Sequence, residues 1–352
     1  MKIIKPNFYD KFKCISYKCT DTCCAGWEID IDEQTLKKYD KLDDDFGLKI
    51  KQNIIKNSQT AFFKLKQGDR CPFLNEKNLC DIILTKGENM LCEICQNHPR
   101  FFNVFDNYTQ QGIGLCCEEA CRLLFSTSDA LTFNVNDDGK NIKTENSALE
   151  NILYSALQTM IEIVQDRSNS FYERVVELLD FSADLQFKLY SEEEVELKDL
   201  DKYSISQQTL DIFGKTEYIN DSWKDMFYEL KNKLSVIYNN EEFNAFMVKS
   251  IYQYEHLLIY MLYRHFLNCV YDGEILTRIK FCLINLWLVY IMDVLKWVKS
   301  NNYTMIERIE ITKLWSKQIE YSDDNVDFLL HQCMQNCNLS VNNIKKLFCS
   351  IK

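Results

Sequence analysis

Eleven of the sixteen cysteines in this 352-residue chain lie before position 122. They are Cys14, Cys19, Cys23, Cys24, Cys71, Cys80, Cys92, Cys95, Cys116, Cys117 and Cys121. Only Cys269, Cys282, Cys333, Cys337 and Cys349 follow. Thiols at such density serve either as disulfides or as metal ligands. The start of the sequence carries Lys2 and Lys5 but no apolar stretch of an export signal behind them. The expected location is therefore the cytoplasm, where thiols stay reduced. A cysteine-ligated metal becomes the constraint around which the first third must fold.

The spacings sharpen this. Cys14-x4-Cys19-x3-Cys23-Cys24 comes first, then Cys71-Pro-Phe-Leu, Cys80-Asp-Ile and Cys92-x2-Cys95, which leads into His98-Pro99-Arg100. Cys116-Cys117-Glu-Glu-Ala-Cys121-Arg122 closes the series. A deprotonated sulfur is a strong, soft donor, which suits iron or zinc. Zinc sites commonly use two C-x2-C knuckles, and only Cys92/Cys95 has that spacing. The ferredoxin run C-x2-C-x2-C-x3-C-P is absent. Spacing alone leaves both metals open. Cys92 and Cys95 could instead be a redox pair, but His98-Pro99 argues against the long helix such a pair opens. Cys269 and Cys282 stand in apolar helical stretches and read as packing residues. His331, Cys333 and Cys337 near the end could form a small metal site, with core packing the preferred reading.

Beyond the cysteines the pattern changes. The polar stretch 126–147 carries Asn136-Asp-Asp-Gly139, a turn signal, and reads as a linker or small hairpin. From 148 to 352 apolar residues recur at helical spacing, with helices expected near 223–237, 241–271, 274–299 and 303–317. The expected fold is mainly α: an irregular cysteine-rich metal-binding lobe at 1–125, then an all-α helical domain at 148–352. In the lobe, short helices are expected at 30–39 and 43–56. The most apolar run, Phe281 to Met292, is too short to span a bilayer and reads as a buried helix. Residues 1–121 carry 17 basic and 18 acidic side chains, and the remainder 24 and 34. So acidic a remainder argues against nucleic acid as a partner.

The string Cys19-Thr-Asp-Thr-Cys-Cys-Ala-Gly-Trp-Glu-Ile-Asp-Ile-Asp32 resembles the opening of flagellin lysine-N-methylases. So do Cys71-Pro-Phe-Leu-Asn-Glu76, Leu79-Cys-Asp-Ile82, Cys95-Gln-Asn-His-Pro-Arg100 and Gly114-Leu-Cys-Cys-Glu-Glu-Ala-Cys-Arg-Leu123. Tyr263-Arg-His-Phe-Leu267, Tyr271-Asp-Gly273 and Trp315-Ser-Lys-Gln-Ile-Glu-Tyr-Ser-Asp-Asp-Asn325 extend the match into the helical domain. The first half also resembles cysteine-cluster domains described as zinc- or iron-chelating. The resemblance implies an iron–sulfur cluster, 4Fe-4S in type, and methyl transfer from S-adenosylmethionine to lysines of flagellin. It implies Cys14, Cys19, Cys23, Cys24, Cys71, Cys80, Cys95 and Cys117 as metal ligands and leaves Cys92, Cys116 and Cys121 aside. Eight thiols are twice what one four-iron cluster takes, so one or two clusters both fit.

Methylating a lysine requires a neutral amine, against a reference pKa of about 10.4, and a group to take its proton. The cationic donor calls for carboxylates and aromatic faces. Asp30, His98, Arg100 and Glu119 are the leading catalytic candidates, with Asp21, Asp32, Arg122, Arg264, His265, Lys317 and Glu320 behind them. No strand–GxGxxG–helix is present to bind the donor in a Rossmann-type fold, and Gly112-Ile-Gly114 is a weak substitute. The donor-binding residues and the oligomeric state are left unassigned. The competing reading is a non-enzymatic metal-binding or redox-sensing cysteine protein with a helical partner-binding domain.

Overall fold

A computed structural model describes residues 2–57, 60–137, 147–192, 194, 199–219 and 221–351. The chain forms two compact units, neither of which is one unbroken stretch. Phe12–Phe101 with Cys117–Glu119 makes the cysteine unit. Met1–Lys11, Phe102–Cys116 and Ala120–Lys352 make the helical unit.

In the cysteine unit two short helices, Glu33–Asp40 and Asp45–Gln52, precede a small antiparallel ribbon. Asp32 opens the first helix by accepting the Thr35 N–H at 2.8 Å. Its second oxygen accepts the Glu93 N–H, also at 2.8 Å, so one carboxylate ties together the starts of two helices. The helix expected over 43–56 stops at Gln52. Ile54–Lys56 instead pairs with Ala61–Phe63, Ile54 lying opposite Phe63. β-branched Ile54 and Ile55 facing aromatic residues prefer that pleated arrangement to a last helical turn. The core beneath is aromatic, with Phe63 meeting Phe73 edge-on at 5.0 Å and Tyr39 at 6.2 Å.

The helical unit is organised around one helix, Ile275–Ser300. Every residue from Ile275 to Leu295 in it is buried. It is long and apolar enough to cross a membrane by length and composition, longer than the run 281–292 suggested. Here it is the core: Phe171–Tyr190, Asp221–Ile237, Tyr252–His265, Met305–Gln318, Asp323–Gln335 and Val341–Phe348 pack around it. A helix apolar on all sides needs such a jacket. The helix expected over 241–271 is broken into Glu241–Met247, Tyr252–His265 and Cys269–Asp272 by tight 3-10 turns, and no Pro or Gly marks either break.

Two helices of this unit open on serine N-caps. Ser170 and Glu173 form a reciprocal capping box. Ser322 accepts the Asn325 N–H at 3.2 Å. Ser322→Ala is expected to cost about 1 kcal/mol, read as a lowered thermal midpoint.

The chain also forms a four-stranded sheet, three strands of which were not expected. Arg100–Val104, Tyr108–Ile113, Lys2–Pro6 and Phe133–Asp137 lie side by side in that order. Lys2–Pro6 runs parallel to Tyr108–Ile113 and antiparallel to Phe133–Asp137. The last of these occupies part of the stretch read as a linker or small hairpin. The turn residues Asp138 and Gly139, and residues 193 and 195–198 of the acidic run 191–201, lie outside the described residues.

Candidate functional site

Backbone hydrogen bonds bring the cysteine loops of the cysteine unit together. Cys71 N–H donates to the Cys24 carbonyl at 2.8 Å, and Gly26 N–H donates to the Asp69 carbonyl at 3.0 Å. Gly26 has φ +89°, a conformation that suits glycine at this close approach. Leu74 bridges to Cys80, and Asp81 N–H donates to the Phe73 carbonyl at 2.8 Å. The Cys71 and Cys80 segments are thus two sides of one closed loop. Cys92 opens the short helix Glu93–Asn97, which places Cys95 in its first turn.

Five thiols share one core as a result. Cys71 and Cys92 are buried in it, and Cys24, Cys80 and Cys95 pack against it. The neighbouring Cys95 thiol lowers the Cys92 pKa, and Cys92 with burial raises that of Cys95. Burial pushes Cys71 up to about 11, against N–H donors from Phe73 and Leu74, and also raises Cys80. The other implied ligands stand differently. Cys14 is exposed and accepts the Ser16 N–H at 3.4 Å. Cys19 donates to Glu118 at 3.6 Å. The Cys23 carbonyl accepts from the Trp27 indole at 2.8 Å. All sixteen cysteines are free thiols. Among the described residues no three His, Cys, Asp or Glu side chains converge as placed on one ion. By donor chemistry the packed thiols nonetheless fit a soft metal.

Of the leading catalytic candidates, His98 stacks on Trp27 with ring centres 5.5 Å apart. Arg100 lies over the Phe12 ring at 5.1 Å. Asp30 is exposed, and its backbone bridges to Phe62. Glu119 is buried. Asp32 is a cap, as described above. Trp27 was not singled out from the sequence; its position four residues after Cys23 was the available signal.

The helical unit gathers three of the secondary candidates. His265 Nε2 donates to Glu320 Oε1 at 3.1 Å, and Arg264 pairs with Oε2 at 3.4 Å. Tyr260 and Ser316 hydroxyls also donate to Oε2, at 3.0 and 2.7 Å. The Glu320 side chain is fully enclosed. Burial alone would raise its pKa, but Arg264, His265 and Ser316 hold it below the usual carboxylate range. Tyr260 and Ser316 were missed, although each stands four positions from a candidate and so shares its helical face. Cys333 is buried, as a packing residue should be, whereas His331 and Cys337 are exposed and do not pack in the core.

Residues 158–348 match the family described as the FliB lysine N-methylase C-terminal domain. That is more than half of the chain. The chain belongs to this family. It is 30% identical over 138 residues to a protein named lysine-N-methylase from Salmonella typhimurium, covering 38% of this chain and 34% of that one. A second lysine-N-methylase, from Salmonella choleraesuis, matches to the same extent. Identity is 33% over 135 residues to the flagellar biosynthetic protein FliU of Salmonella muenchen, covering 37% of this chain and 80% of that one. The matched stretch spans about a third of the length of the two lysine methylases. No solved structure matches. The FliB C-terminal domain so placed holds the whole Glu320 network and none of the eleven N-terminal cysteines.

Proposed function

We propose that the protein is a lysine N-methyltransferase that modifies flagellin in the cytoplasm, with S-adenosylmethionine as donor and an iron–sulfur cluster in its cysteine unit. Membership of the FliB lysine N-methylase family carries this reading. The relatives' names, lysine-N-methylase and flagellar biosynthetic protein, supply the reaction and the flagellar setting. Free thiols suit a reducing compartment.

The reaction forms a nitrogen–carbon bond at the lysine amine and breaks a sulfur–carbon bond in the donor, and the amine gives up one proton. The cysteine unit offers suitable groups for each part. The stacked Trp27 and His98 rings present an aromatic face to a cation. Asp30, Glu119 and His98 are the groups available to hold the proton. Arg100 is the nearby cation for an anionic group of donor or cluster. A bound cluster would supply redox or Lewis-acid chemistry beside them.

The test is purified protein incubated with flagellin and S-adenosylmethionine, with mass spectrometry of flagellin lysines. Methylated lysines that depend on both protein and donor support the reading, and unmodified flagellin counts against it. Within that assay Arg100→Ala is expected to lower methylation by about tenfold, the worth of one charge-assisted contact. Full methylation with metal content unchanged would remove Arg100 from the site.

A further inference from the structure

The Glu320 network and the loop that ends in Cys116 both belong to the helical unit, and one hydroxyl joins them. We infer that Tyr260 is a positioning residue for methyl transfer, which holds the Leu115–Cys116 loop in place. This deepens the methyltransferase reading and rests on it.

Three observations carry it. The first is that the Tyr260 hydroxyl is fully committed. It donates to Glu320 Oε2 at 3.0 Å, and accepts from Arg264 Nη1 at 2.7 Å and from the Leu115 N–H at 3.4 Å. A hydroxyl has one proton to give and two lone pairs to fill, so its place is set from three sides.

The second is that the support behind this tether is fixed. Glu320 is enclosed and also takes His265 at 3.1 Å and Ser316 at 2.7 Å. The same helix end is fastened to the sheet. Tyr263 donates to the Ile4 carbonyl at 2.6 Å, and Asn103 Nδ2 donates to the Arg264 carbonyl at 2.7 Å. A buried network whose members are satisfied holds one geometry.

The third is that Leu115 is held at its other end as well. Its carbonyl accepts the Cys121 thiol at 3.1 Å. Leu115, Cys116 and Cys121 are all buried. With N–H and C=O both engaged, Leu115 cannot turn without breaking one bond, and the Cys116-Cys117 motif follows it directly. Tyr260, Arg264 and Glu320 lie within the stretch matched to the FliB C-terminal domain, whereas Leu115 and Cys116 lie outside it. The inference thus gives that domain a task, the placing of a loop it does not itself contain. Misplacement slows a bound complex rather than weakening its binding, so kcat and not KM should carry the loss.

The experiment compares the full chain unaltered, as Tyr260→Phe and as Tyr290→Phe, each well below its thermal midpoint. The control also loses one buried hydroxyl, which donates to Asn244 at 2.8 Å elsewhere in the unit. The readouts are the rate of Cys116 alkylation by iodoacetamide, followed by peptide mass spectrometry, and kcat and KM for flagellin. Tyr260→Phe is expected to speed Cys116 alkylation and to lower kcat, each by about tenfold, with KM unchanged, because a loosened loop opens the thiol and loses its alignment. Tyr290→Phe should move neither. Alkylation or kcat left at the unaltered level in Tyr260→Phe overturns the inference, and so does an equal rise in alkylation in Tyr290→Phe. If Tyr260→Phe does not fold, Cys121→Ala decides: it frees the Leu115 carbonyl and should speed Cys116 alkylation likewise, and an unchanged rate overturns the inference. An unaltered chain that leaves flagellin unmethylated defeats the functional reading, whereas the alkylation rates still decide whether Tyr260 holds the loop.

Discussion

Arg308→Ala is expected to destabilise the helical unit by about 3–5 kcal/mol, the cost of leaving a buried charge without its partner. Arg308 and Asp293 are both fully enclosed and paired at 2.6 Å. Arg308 also donates to Gln253 at 3.0 Å and lies over the Tyr254 ring at 4.2 Å. Tyr254 and Tyr303 donate to the same carboxylate. Burial pushes the Asp293 carboxyl up, and Arg308 is the main force against it. Arg308→Met keeps the bulk and removes that force, so Asp293 should take a proton in the folded state. A carboxyl whose folded pKa is raised is least costly below its unfolded value of about 4 and loses stability as pH rises through the folded one. The Met variant should therefore recover part of its loss between pH 7 and pH 4. Urea midpoints across that range check it, and a pH-independent loss would rule out the uncompensated carboxylate as its cause.

Glu320→Ala is the second large effect, again about 3–5 kcal/mol. It strips Arg264 and His265 of their anion and leaves the Tyr260 and Ser316 hydroxyls without an acceptor. The sign with pH is opposite to the Arg308 case. Glu320 has a depressed folded pKa, so its contribution is present above about pH 4.3 and is lost as pH falls through the folded value. His265 is held neutral chiefly by burial, so the unfolded chain binds its proton first and stability already falls below about pH 6.5. The unaltered protein should lose stability on acidification in two stages, and Glu320→Gln should shrink the lower one, to which Asp32 and other capping carboxylates also contribute. A lower stage of unchanged size in Glu320→Gln would assign it wholly to those other carboxylates.

Local features of this fold were legible in the sequence, and long-range ones were not. Ser322, Ser170 and Asp32 act as caps because capping depends on a side chain and the next three residues. The core helix was legible because an apolar run without periodicity has no face to give to water. The sheet was not. Lys2–Pro6 is five residues long, too short to display alternation, and its partners stand more than a hundred positions away. Spacing placed Cys92 and Cys95 together but could not show that the Cys71 loop closes on Cys80, which depends on backbone bonds from Leu74 and Asp81. Arg264, His265 and Glu320 were noticed singly. Their convergence depends on the turn after Met305–Gln318 bringing Glu320 to the end of Tyr252–His265, which neither segment encodes alone.

The split make-up of the helical unit bears on synthesis. Its first strand, Lys2–Pro6, emerges from the ribosome early, but its partners at 108–113 and 133–137 come after the main segment of the cysteine unit, Phe12–Phe101. Units generally fold in order of emergence. The segment 12–101 can therefore complete its own core while Lys2–Pro6 is still unpaired, and the thiols are gathered before the sheet can close. The first strand is thus a tether left open during translation, exposed to mispairing for as long as the cysteine unit takes to emerge.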